Sequence, residues 1–114
     1  MVRKAKKRPT NYEGIEHLFA KEKYAEKLKA DWLRVDVEKK LFCWVGNFIP
    51  DIAVYDEDGI AGIYEIVFTH DVHLTKMHSI WTYAHDCMRP LFLRTITAEN
   101  VINDKYEFMM NVIL

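Results

Sequence analysis

Residues 48–70 read Phe-Ile-Pro-Asp-Ile-Ala-Val-Tyr-Asp-Glu-Asp-Gly-Ile-Ala-Gly-Ile-Tyr-Glu-Ile-Val-Phe-Thr-His, and this stretch constrains the fold more than any other. Two apolar runs flank an acidic turn closed by Gly59, the pattern of a β-hairpin. Each run carries one carboxylate where a strand normally buries hydrocarbon: Asp51 after Pro50, and Glu65 between Tyr64 and Ile66. Asp51 lies seven residues before Asp58 and Glu65 seven after it. Equal offsets in an antiparallel hairpin make the two carboxylates neighbours on one face. A buried ionised group is costly unless it is paired or binds a cation. Two facing carboxylates repel unless a hard cation such as Mg²⁺ or Mn²⁺ joins them through oxygen.

The remaining elements follow from periodicity. Tyr12 to Asp31 is rich in Ala, Leu, Glu and Lys without proline, which favours a helix capped by Thr10 or Asn11. At about 100° per residue, Leu18, Ala25, Leu28 and Trp32 share an arc. His17, Lys21 and Tyr24 form a row at its edge, with Glu13 leading; on its own such a row reads as a solvated charged stripe. Leu33 to Phe42 alternates as a half-exposed strand, and Gly46-Asn47 predicts a turn joining it to the next strand, Ile52 to Tyr55. Ile60 to Thr69 is nearly all apolar and so a central strand. Leu74, Met77, Ile80, Trp81 and Ala84 recur at helical spacing before Arg89-Pro90, and Leu91 to Ile96 is a strand. Strand, crossover helix and strand imply a parallel pair. The tail from Glu99 to Leu114 reads as a short helix or an edge strand, whose apolar side chains need burial on the chain's own core or on a second copy. The expected order is α-β-β-β-α-β, an α/β (α+β) domain with a mixed sheet flanked by helices.

At 114 residues, half of them apolar, the chain suits one packed domain over 11–114. Residues 1–10 read as a flexible basic arm. Five of the 16 positive charges fall within residues 3–8, leaving 11 against 17 negative charges elsewhere, a net −6. Lys4, Lys6, Lys7 and Arg8 suit contact with nucleic acid phosphates, while the acidic body is no duplex-binding platform. No run reaches the roughly 20 apolar residues of a membrane span. Cys43 and Cys87 lack metal-type spacing and read as reduced thiols, which places the chain in a cytoplasm. No glycine-rich phosphate loop or H-E-x-x-H motif is present, and the histidines at 17, 70, 73, 78 and 85 do not form a zinc signature.

Pro50-Asp51, a turn, then Glu65-Ile66-Val67 resembles the PD-(D/E)xK nuclease superfamily and is most similar to the nuclease-like domains of the competence protein CoiA. The resemblance spans roughly residues 12–97. It includes Glu13, His17 and Lys21 on the first helix, Glu38 on an edge strand, and the Glu65-to-His70 strand end. It implies a restriction-endonuclease-like core and Mg²⁺ or Mn²⁺ held by Asp51, Glu65 and Glu38. It further implies hydrolysis of DNA, with RNA a second candidate, and Asp51, Glu65, Lys21, His17 and Glu13 as the catalytic set. Lys76 and His70 would join the arm in contacting the nucleic acid, and a homodimer would form through the apolar C-terminus. The motif lysine falls at position 67, where this chain has Val67. Lys21 or Lys76 would have to supply the missing charge. Without one, the alternative is a catalytically inactive nuclease-fold module, a phage- or virus-type accessory or inhibitor that binds nucleic acid or a protein partner. The implied setting is the cytoplasm of a bacterial, archaeal or virus-infected cell.

Overall fold

The computed structural model describes residues 2–43, 46–68 and 74–114, and the side chains of all these except residues 2–13 and Cys43. The elements in order are α1 (Val2–Leu28), β1 (Arg34–Val37), β2 (Leu41–Cys43), β3 (Gly46–Phe48), β4 (Ile52–Asp56) and β5 (Gly59–Val67). They continue with α2 (Leu74–Cys87), β6 (Phe92–Thr97), α3 (Ala98–Ile102) and β7 (Met110–Ile113). Five strands form one mixed sheet in the order β1-β4-β5-β6-β7, and β2 pairs with β3 as a separate ribbon. Among the described strands only β5 and β6 run parallel, joined across one face by α2. The chain is thus an α+β domain with helices on both faces of a mixed sheet.

Strand alternation divides the core. Ile52, Val54, Tyr64, Ile66 and Ile96 pack against Ala20, Tyr24, Ala25 and Leu28 of α1 and Val101 of α3. Ala53, Ile63 and Leu93 point the other way, against Ile80 and Ala84 of α2 and Phe48 of β3. The central β5 is buried from Ile60 to Ile66 because it is covered on both faces, which is why its sequence reads as nearly continuous hydrocarbon. Glu65 is the exception within it.

Several expectations change. The helix begins at Val2, not at a cap near Thr10 or Asn11, so residues 2–10 are helical and not a flexible arm; Arg3, Lys4, Ala5, Lys6, Lys7 and Arg8 are good helix formers, and the helix runs on through Pro9. The side chains of Lys4, Lys6, Lys7, Arg8 and Glu13, and the whole of His70, lie outside the described residues. The strand predicted over Leu33–Phe42 stops at Val37, since Glu38 turns the chain with φ at 53°. β1 therefore pairs directly with β4, and Gly46-Asn47 belongs to the inserted β2–β3 ribbon rather than to a connection between them. The tail holds both alternatives, a short α3 and an edge strand β7. Met110 and Leu114 pack on the α2-side core, while Val112 and Ile113 stay exposed.

The β4–β5 hairpin turns through Glu57-Asp58, where the Asp58 amide donates to Asp56 Oδ1, and Arg89 grips the Asp56 carboxylate with both terminal nitrogens. Near the turn Tyr55 opposes Ile60, but further on Val54 opposes Gly62, so Ala61 is an extra residue on β5. This bulge shifts the register by one. Ile52 then faces Tyr64, and one more step brings Asp51 beside Glu65. Gly62 sits under the ring of Phe92, which is itself held by Trp32, Tyr64 and the Arg94 guanidinium. A Cβ at Gly62 would lie 2.2 Å from Phe92 Cζ. Gly62→Ala is therefore expected to destabilise the fold by about 1–3 kcal/mol, read as a lowered urea midpoint with an unchanged denaturant slope.

Candidate functional site

Pro50 and the end of β5 bring two buried carboxylates together at one end of the sheet. Asp51 is 6% and Glu65 3% exposed. They are tied through the backbone in a reciprocal pair: the Asp51 amide donates to Glu65 Oε2 at 2.8 Å, and the Ile66 amide donates to Asp51 Oδ2 at 2.7 Å. Hydrogen bonds to ionised acceptors are the stronger kind and fix both side chains.

Their charged partners arrive from opposite faces of the sheet. From α1, Lys21 Nζ lies 3.5 Å from Asp51 Oδ1 and 2.8 Å from Glu38 Oε2. From α2, Lys76 Nζ lies 2.6 Å from Glu65 Oε1. His17, one turn before Lys21, places Nε2 at 3.2 Å from Asp51 Oδ2 and 2.6 Å from the Ile66 carbonyl. Both neighbours accept, so Nε2 carries the hydrogen. The row His17–Lys21–Tyr24 thus faces inward and is not a solvated stripe; Lys21 is only 5% exposed. It tolerates burial because two carboxylates receive its ammonium.

Glu38 is drawn in by its backbone. Its amide donates to the Asp51 carbonyl at 3.0 Å, and its left-handed conformation ends β1 there. It meets the site through Lys21 and does not converge with Asp51 and Glu65 on a shared point. Among the described residues no three carboxylate, imidazole or thiol side chains group as metal ligands. The two carboxylates are neighbours but do not share the single face expected from the hairpin, because Asp51 leaves the chain just before β4 and turns to α1: Glu65 and Lys76 share one side of the site, and Asp51, His17, Lys21 and Glu38 the other.

Sequence reasoning missed Thr95. It stands beside Glu65 in the parallel β5–β6 register, and its Oγ1 is the one buried side-chain polar atom without a partner among the described residues. Leaving such a hydroxyl unpaired costs about 1–3 kcal/mol, so the neighbourhood of Glu65 can take a further polar group. Its signal was a hydroxyl on the inward face of β6, two residues on from the buried Leu93. A second omission is the Ile66 carbonyl, which no side-chain pattern can reveal.

The electrostatics separate the two acids. Burial pushes the Glu65 carboxyl up to about 7, helped by the negative charge of Asp51, against the pull of Lys76. Burial also works against the charged form of Asp51. The hydrogen bond from His17 and the charges of Lys76 and His17 outweigh it, holding that carboxyl below the ordinary 3.8. The hydrogen bond to Asp51 raises His17 above 6.5 despite partial burial. The pair is thus one firm anion and one acid that keeps part of its protons at neutrality.

The sign of the linkage follows. Glu65 is protonated more in the folded chain than in the unfolded one between pH 4.5 and about 7, so stability falls as pH rises through that window. His17, raised above 6.5, adds stability that is full below that pH and is lost as pH rises past its folded value. Asp51 adds stability above 3.8, lost as pH falls toward its lowered value. The urea midpoint is therefore expected to be highest near pH 4–5 and to decline toward pH 8. Glu65→Gln should remove most of that decline, a change of roughly 3 kcal/mol at pH 8. Compared with family models, curated proteins and solved structures, the chain matches none of them.

Proposed function

We propose that this chain is a small metal-dependent hydrolase of nucleic acid phosphodiesters, of the PD-(D/E)xK kind, with DNA as substrate. The observation that carries this reading is the supply of two lysines to the Asp51–Glu65 pair. Val67 occupies the place of the motif lysine, yet Lys76 reaches Glu65 at 2.6 Å and Lys21 reaches Asp51 at 3.5 Å. Relocated charge of this sort can do the work of the missing residue. Support also comes from the order α1-β1-β4-β5-α2-β6, with three antiparallel strands and then a parallel one, once the β2–β3 ribbon is set aside.

The donors suit a hard divalent cation. The Asp51 and Glu65 carboxylates and the Ile66 carbonyl offer oxygen alone, as Mg²⁺ or Mn²⁺ prefers. The unpartnered Thr95 hydroxyl beside Glu65 fits a site that takes another polar group. Bound there, such an ion supplies charge neutralisation at a phosphoryl oxygen and acidifies water. The chain's own groups do the rest. Lys76 and Lys21 place positive charge where the phosphodiester gathers negative charge in the transition state. Glu65, drawn toward 7, can accept a proton near neutral pH. His17 keeps the Ile66 carbonyl and Asp51 in place through Nε2. The basic first turns of α1, with Lys4, Lys6, Lys7 and Arg8, supply phosphate contacts that an acidic body otherwise lacks.

A second reading, an inactive module on the same scaffold, is favoured by one feature: Lys21, Lys76 and His17 already partner both carboxylates without any ion. Calorimetric titration with Mn²⁺ and a nicking assay on plasmid DNA separate the two. Binding that Asp51→Asn and Glu65→Gln each abolish, together with cutting, is expected from the first reading. Lys76→Met should then lower the cleavage rate by about 10²-fold or more, with DNA affinity little changed. Metal binding without cutting selects the inactive module, and no metal binding removes the hydrolase reading. Deleting residues 1–8 should flatten the salt dependence of DNA binding, the logarithmic slope falling by roughly one for each phosphate no longer touched.

A further inference from the structure

The outer face of α2 carries Leu74, His78, Trp81 and His85, with Met88 just beyond its end, and all five are exposed. Their spacing of four, three, four and three residues is the a/d rhythm of a helix that packs along another helix. Leu74 is 84%, Trp81 51% and Met88 92% exposed, unusual for such side chains on a free surface. The only ionic side chains on α2 apart from histidine are Lys76, turned to Glu65, and Asp86. Polar neighbours along the stripe are uncharged Thr75, Ser79 and Thr82. A helix face bare of lysine and glutamate, in a chain with 29% charged residues, has the composition of an interface core.

The stripe is symmetric about its middle. Trp81 lies seven residues from both Leu74 and Met88, and His78 and His85 flank it at three and four. We infer that two copies of this chain pair through α2, antiparallel, with the two Trp81 side chains meeting at the two-fold axis. Leu74 then meets the partner's Met88, and His78 meets the partner's His85. A two-fold contact demands a self-complementary patch, which the mirrored order of residue types, apolar, His, Trp, His, apolar, supplies. The Trp81 ring lies over His85 of its own helix, with centroids 3.9 Å apart, so the anchor is held before pairing.

The neighbouring ribbon widens the patch. β2 and β3 pack against α2, Phe42 is 71% and Ile49 45% exposed, and Ile49 lines one groove with Thr75 and Ser79. Aromatic side chains bring about 150–250 Å² each, so the combined side-chain surface is on the order of 500–600 Å². That is most of the roughly 800 Å² per partner in a standard interface. This pairing stands on the α2 stripe and not on the proposed activity, although the neighbouring groove is also lined by Lys76 of the carboxylate site.

Sedimentation equilibrium on the full chain tests it. The native protein is expected to dimerise at micromolar concentration, and Trp81→Glu to weaken association at least about tenfold, with an unchanged circular dichroism spectrum. Charge replacement then reads the orientation. His78→Glu with His85→Glu should dissociate the dimer, whereas His78→Glu with His85→Lys should keep it, because position 78 faces position 85 of the partner. A chain that stays monomeric overturns the inference and leaves the stripe to a different protein. A dimer that survives Trp81→Glu, as one built on the β7 edge would, also overturns it. So does a dimer in which both double variants behave alike.

Discussion

The reciprocal bonds between Asp51 and the β5 end hold this structure's polar centre together. Each carboxylate accepts a backbone amide belonging to the other's strand, so neither can move without unpairing both. The pairing depends on Ala61 standing out of the ladder: with Ala61 bulged, Asp51 stands beside Glu65; were Ala61 to pair with Val54, Asp51 would stand beside Tyr64. Everything charged that surrounds the pair answers to that juxtaposition. Lys21, Lys76 and His17 converge because two desolvated acids require cations or hydrogen-bond donors. Glu38 follows because Lys21 has a second acceptor to satisfy.

The acids differ in charge state despite their proximity. Asp51 receives the amide of Ile66, His17 and Lys21, and stays ionised. Glu65 has Lys76 and one amide, and lies beside the charge of Asp51. Paired acids whose surroundings drive them apart in this way are a recurrent basis for proton handling. They also resemble an ordinary buried ion network, in which three cations quiet three anions.

Much of this was legible in the residues. The hairpin, the central strand, the parallel pair and the crossover helix follow from alternation, turn chemistry and helical spacing. The match between Asp51 and Glu65 was read from equal distances to Asp58, but the turn is centred one half-step earlier, on Glu57-Asp58. The bulge at Ala61 makes up the difference, so the right pairing rests on a feature that counting did not contain. Lys21 defeats pattern reading, because a lysine in a polar row normally faces water and only a pair of carboxylates from distant strands reverses that. The break at Glu38 was hidden for a related reason. Its left-handed backbone follows directly on the last ladder bond, from its amide to the Asp51 carbonyl, with no glycine or asparagine there to signal the break.

The attachment of α1 and α2 to one pair of acids has a consequence for how the domain comes apart. Each apolar layer on its side of the sheet holds a helix, and two such layers could in principle melt independently. Peeling off α1 would strip Asp51 of Lys21 and His17, and peeling off α2 would strip Glu65 of Lys76. Loss of α1 leaves a bare anion at Asp51, within a strand end still covered on the other side, at a cost of several kcal/mol, and loss of α2 leaves Glu65 to take up a proton. The cluster thus acts as a shared lock that couples the two helices and favours their opening as one cooperative unit over forms with a single helix docked.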